Sequence, residues 1–123
     1  VTGVQTCALP IWIKAGLTVK PNTPIEIVYD YLPFVENILV MSVEPGFGGQ
    51  GFIHETMEKV SVVKKIITEK RYSCLVQVDG GINDVTAKIA IDAGADDLVS
   101  GTYLFKSDDM KNAVQAIKLI KEC

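Results

Sequence analysis

The chain has 123 residues, 48% of them apolar and 22% charged, with a formal net charge of −3. One ordinary domain's length with a globular composition excludes a disordered tail, a collagen-like repeat and a disulfide-dense miniprotein. A sequence pI near 5.1, with 12 Lys and Arg dispersed along the chain, offers no basic field to a phosphodiester backbone, so nucleic acid is not an expected partner.

No apolar run approaches the roughly 20 residues that span a bilayer, and the first residues lack the positive start of a secretory signal. The expectation is a soluble, cytoplasmic protein with no membrane partner. Cys7, Cys74 and Cys123 are odd in number and widely spaced, which fits neither a disulfide framework nor a zinc site; they read as buried or incidental thiols. Residues 1–12, VTGVQTCALPIW, show neither strand alternation nor helical period. They are expected to be a non-native leader joined to a unit that occupies residues 13–123.

Regular patterning begins at residue 16. Residues 16–20 (GLTVK) are β-prone, and Pro21-Asn22 turns the chain. Thr23 as N-cap, Pro24 at the first helical position and Glu26 three residues after the cap predict a helix. Residues 38–43 (ILVMSV) form an apolar run of strand length, expected to be covered on both faces. The following EPGFGGQG is a loop by its Gly and Pro content. Over residues 55–71, Met57, Val60, Val63, Ile66 and Ile67 recur at helical spacing. LVQVD at 75–79 reads as a strand and GGIN as a turn. Residues 85–93 read as a helix capped by Asn83 or Asp84, and 98–100 as a last short strand. Ser107 is placed as the cap of a final helix, with Asp108 and Asp109 in its first turn and Met110, Val114, Ile117 and Ile120 as its inner stripe.

Strand and helix thus alternate four times, which predicts an α/β fold with parallel strands and right-handed crossovers. An open doubly wound sheet and part of a (β/α)8 barrel both fit. A complete barrel takes about 250 residues, so four units within 13–123 amount to half of one.

The unusual residues fall at the carboxyl ends of the strands, where parallel α/β folds gather their ligands. Glu44 to Gly51 follows the second strand, Asp79-Gly80-Gly81 the third and Ser100-Gly101-Thr102 the fourth. Loops of this kind either make tight turns or present backbone N–H groups to an anion such as a phosphate monoester. No Walker A loop is present, as no Gly-Lys-Ser/Thr follows. Asp79, ending an apolar strand before two glycines, is either a turn residue or a group able to ligate a divalent metal and move a proton. Met41 reads as core packing that can also line a pocket. His54, the single histidine, reads as solvated or capping.

Residues 16–123 resemble the C-terminal half of the ribulose-phosphate 3-epimerases, (β/α)8-barrel enzymes of the pentose phosphate pathway. The resemblance is carried by Gly16-Leu17, Lys20-Pro21 and Thr23-Pro24, by VMSVEPGFGGQ at 40–50, by Val78-Asp79-Gly80-Gly81-Ile82, and by Ala93-Gly94-Ala95-Asp96 running to Val99-Ser100-Gly101-Thr102. It implies interconversion of D-ribulose 5-phosphate and D-xylulose 5-phosphate by proton transfer at C3 through an enediolate. Asp79 then matches a residue that is both a proton-transfer group and a ligand of a divalent metal; Zn, Fe, Mn, Co and Mg are not distinguished. Gly46, Phe47, Gly48, Gly49, Gly80, Gly81, Gly101 and Thr102 match substrate- and phosphate-binding loops, and Met41 a methionine crowding the reacting carbons.

The family's other aspartate, two metal-binding histidines and an early serine match nothing here. The chain alone is therefore expected to be inactive, and the full-length enzyme a homo-oligomer. A sister allulose-6-phosphate 3-epimerase and a non-catalytic phosphate-binding half-barrel that pairs with a partner chain are the alternatives.

Overall fold

The computed structural model describes residues 14–44 and 51–122. In chain order the elements are β1 (Gly16–Val19), a 3₁₀ helix (Ile25–Phe34), β2 (Asn37–Met41), α1 (Thr56–Lys70), β3 (Leu75–Asp79), α2 (Asp84–Ala93), β4 (Asp97–Val99), α3 (Thr102–Lys106) and α4 (Met110–Glu122). The four strands form one sheet in the order β1-β2-β3-β4, every pairing parallel.

Strand order decides between the two architectures. A doubly wound sheet reverses direction partway and carries helices on both faces; here each strand lies beside its predecessor and the core lies on one face. Val19, Ile38, Val40, Val76 and Val78 are all fully buried and alternate with the residues of the other face, as the pleat requires. They pack against Ile25, Val28 and Leu32 of the 3₁₀ helix, Val60, Val63 and Ile67 of α1, and Ala87 and Ala90 of α2. Each of the Val, Ile and Leu side chains contributes roughly 1.5–3 kcal/mol on burial. Strands in sequence order with helices on one side make a segment of a (β/α)8 barrel.

The opposite face corrects the expectation that residues 38–43 are covered on both sides. Leu39 and Met41 are half-buried, and Leu75 and Val99 are 52% and 40% exposed. This face carries a polar row: Asn37 Nδ2 donates to Gln77 Oε1 at 2.9 Å, and Gln77 Nε2 donates to Asp97 Oδ2 at 2.7 Å.

Three local predictions also change. Residues 25–34 form a 3₁₀ rather than an α-helix, with extended Pro24 at its N-cap and Pro33 inside it; a proline within the segment donates no N–H and opposes α-helical closure. Thr23 does not cap, because it closes a turn from its N–H to the Lys20 carbonyl at 3.0 Å. Lys59 Nζ fastens that turn by donating to the carbonyls of Pro21 and Thr23 at 2.6 and 2.5 Å. At the other end, α3 intervenes before the last helix. Asp109 accepts from Asn112 N–H at 3.2 Å, so it takes the position expected of Ser107. Met110 is 44% exposed, and the inward residues are Ala113, Val114 and Ile117.

Candidate active site

Register places the candidate residues side by side. Met41 of β2 pairs with Asp79 of β3, and Asp79 pairs with Val99 of β4. Paired residues of a parallel sheet share a face, so Met41, Asp79 and Val99 line up at the carboxyl ends of their strands, on the face opposite the helices. Asp79 and Met41 are both half-buried. That makes Met41 part of the surface around the carboxylate rather than of the helix-side core. No hydrogen bond or ion pair engages the Asp79 carboxylate among the described residues.

Beyond Asp79 the backbone turns through two positive-φ residues, Gly80 at +126° and Gly81 at +67°. A Cβ on Gly80 would come within 2.5 Å of Val43 Cγ2 and 2.9 Å of Val43 N, and one on Gly81 within 3.0 Å of the Phe52 backbone. Both glycines are required by shape and conformation. Gly101 differs: it has no positive φ, a Cβ there would meet open space, and it stands at the N-cap of α3. Thr102, the first residue of α3, is exposed. Gly46, Phe47, Gly48 and Gly49 lie outside the described residues.

Three hydroxyls hold the loop after Asp79, a role not assigned to any of them from the sequence. Ser42 Oγ donates to the Gly80 carbonyl at 2.5 Å and lies 3.1 Å from that of Asp79. Thr86 Oγ1 donates to the Gly81 carbonyl at 2.7 Å, and Ser100 Oγ to that of Ile82 at 3.0 Å. Ser42 N–H also donates to the Asp79 carbonyl at 2.8 Å. A serine in an apolar strand run was the available signal, since a buried hydroxyl must find a partner.

Other candidates are structural. His54 is exposed and makes an edge-to-face contact with Phe52 at 5.1 Å. Cys74 is buried, and burial, reinforced by Glu36 and Asp96, pushes its thiol up to about 11, away from thiolate chemistry at neutral pH. Asp96 is held by Lys64 at 2.7 Å and accepts from Val76 N–H at 2.9 Å.

No group of three or more His, Cys, Asp and Glu able to hold a metal ion occurs among the described residues. Asp79 alone is one oxygen ligand and does not make a divalent-cation site, which takes several donors. No helix among the described residues is long and apolar enough to cross a membrane.

Comparison with known proteins gives this geometry a context. The sequence model of the ribulose-phosphate 3 epimerase family matches residues 10–105. Ribulose-phosphate 3-epimerase of Mycobacterium tuberculosis is 49% identical over 105 residues, covering 85% of this chain and 46% of that protein. The Bacillus subtilis enzyme of the same name is 39% identical over 107 residues, 86% of this chain and 49% of that protein. The chloroplastic ribulose-5-phosphate-3-epimerase of Arabidopsis thaliana is 40% identical over 108 residues, 88% of this chain and 38% of that protein. The chain therefore spans less than half the length of each of these relatives. With a parallel barrel-type sheet and a glycine-flanked aspartate at its carboxyl end, the chain belongs to the ribulose-phosphate 3-epimerase family.

Proposed function

We propose that the protein to which this chain belongs interconverts D-ribulose 5-phosphate and D-xylulose 5-phosphate, with Asp79 as one of two proton-transfer groups at C3. The observation that carries this reading is the position of Asp79. Its half-buried carboxylate ends β3 on the open face beside Met41, without a competing partner among the described residues. Asp79 takes the C3 proton, the C–H electrons pass into an enediolate, and a group on the opposite face returns a proton with inverted configuration. That second group is not among the described residues.

Backbone N–H groups of Gly80, Gly81, Gly101 and Thr102, with the loop bearing Gly46, Phe47, Gly48 and Gly49, anchor the phosphate and so fix C3 over Asp79. Met41 excludes water from the enediolate. Asp79 is also the residue that would contribute to a divalent-metal site; alone it does not constitute one, and no step is assigned to a metal. The isolated chain, with one proton-transfer group among its described residues, should show no turnover.

A coupled assay of the full-length protein tests the reading. Ribulose 5-phosphate should be turned over in preference to allulose 6-phosphate, and Asp79→Asn should lower kcat by about 10²–10⁴-fold, the span of a positioned acid or base. Preference for the six-carbon substrate would move the assignment to the sister activity, and an Asp79→Asn enzyme with undiminished kcat would remove the role of Asp79.

A further inference from the structure

The loop that leaves Asp79 is held by donors to four consecutive carbonyls, those of Asp79, Gly80, Gly81 and Ile82. A trans peptide is planar, with its C=O and the next N–H pointing in opposite directions. Fixing a carbonyl therefore aims the following amide. The Gly80 carbonyl is turned onto Ser42 Oγ, which sends Gly81 N–H away from Ser42. The Gly81 carbonyl is turned onto Thr86 Oγ1, which does the same for Ile82 N–H. Neither amide has an acceptor among the described residues. By contrast Asn83 N–H, the next along, is satisfied by Thr86 Oγ1 at 2.9 Å.

Ser42 is the central member of this clamp. It is fully buried, immediately after the last residue of β2, and each of its polar groups is committed to the site. Its hydroxyl reaches the Gly80 carbonyl, its N–H the Asp79 carbonyl, and its own carbonyl accepts from Ile53 N–H at 2.8 Å. Ile53 lies just beyond the Gly-rich segment that starts after Glu44. One residue thus fixes the peptide on each side of Gly80 and the return of the neighbouring loop.

We infer that Ser42 is a positioning residue of the epimerase: with Thr86 and Ser100, it sets the peptide planes that follow Asp79, holding that carboxylate in place and presenting the Gly81 and Ile82 amides to the substrate's phosphate. This rests on the proposed function. Its chemistry is that of the hydroxyl, because alanine would leave the Gly80 carbonyl without its donor, and threonine would keep it.

The experiment compares four variants of the full-length protein by steady-state kinetics, by inhibition with inorganic phosphate and by melting temperature. Ser42→Ala should lower kcat/KM roughly tenfold to a hundredfold, the effect of a small misplacement of reacting groups, and weaken phosphate inhibition severalfold. Ser42→Thr should restore both. Val40→Ala, in the helix-side core, should lower the melting temperature while leaving both readouts near wild type. Asp79→Asn should lower kcat by about 10²–10⁴-fold and leave the inhibition constant for phosphate, read on the residual turnover, near wild type.

Wild-type kinetics and phosphate inhibition in Ser42→Ala would overturn the inference. Turnover retained by Asp79→Asn would instead overturn the proposed function, and the phosphate readout would still judge the clamp. Should Ser42→Ala fail to fold, the Ser42 hydroxyl proton of the wild-type protein decides by nuclear magnetic resonance: slow exchange with solvent is expected, and free exchange overturns the clamp.

Discussion

Gly80 and Gly81 show how a residue can be dictated by backbone conformation and by packing alike. At Gly81, with φ +67° and the Phe52 backbone 3.0 Å from a built Cβ, alanine should cost about 1–2 kcal/mol, the penalty of the left-handed region for an L-residue. At Gly80, φ +126° and a 2.5 Å approach to Val43 Cγ2 add overlap to strain, so Gly80→Ala should destabilise more. Denaturant midpoints of the two variants check the order; equal midpoints would contradict it. Cys74 gives a pH prediction. Its thiol ionises at about 11 in the folded chain against an ordinary 9.0, so the native state holds the proton more tightly than the unfolded one. The resulting stability is present below pH 9 and is lost as pH rises through 11. Denaturant midpoints of wild type and Cys74→Ala should converge across that interval, and parallel curves would contradict the assignment. The sequence made Asp79 and the two glycines legible because their types are unusual at a strand end. It hid the role of Ser42, Thr86 and Ser100, since a hydroxyl becomes a clamp only when tertiary structure brings a carbonyl to it.

Elements were legible where one local rule dominates. Residues 75–79 are a strand by composition and in the structure, and α1 buries Met57, Val60, Val63 and Ile67 as its period requires. Asn83 caps α2, accepting from the N–H groups of Val85 and Thr86 at 2.8 and 2.9 Å. Asn83→Ala should therefore cost about 1 kcal/mol of unfolding free energy; no change in a urea midpoint would contradict this. The 3₁₀ helix and α3 were missed for a different reason. At 25–34 the capping signals are local, whereas what overrides them is Pro33 together with the fastening of Thr23 and Pro21 by Lys59 from a distant helix. Arg71, which ends α1 at φ 58° and ψ 40°, occupies a conformation suited to glycine. Arg71→Gly should relieve up to about 1 kcal/mol of strain, read as a raised melting temperature.

For the molecule as a whole, four strands in sequence order with helices on one side leave a face bearing Leu39, Met41, Leu75, Gln77, Asp79 and Val99. Parallel alternation was readable from the spacing of elements and a barrel segment from the family resemblance, and the strand order bears the barrel segment out. The same face is where the proposed chemistry belongs. If Asp79 supplies one ligand and one acid/base group, as proposed, and no metal-binding cluster occurs among the described residues, the isolated chain should bind Mn²⁺ only weakly and show no turnover; tight Mn²⁺ binding by calorimetry would contradict this.

The central claim, proton transfer at C3 by Asp79, is tested most directly by running the full-length enzyme on ribulose 5-phosphate in D₂O and locating the deuterium. Label is expected at C3 of the pentulose phosphate, at a rate that collapses in Asp79→Asn. Label at C1, or undiminished C3 labelling in Asp79→Asn, would contradict it.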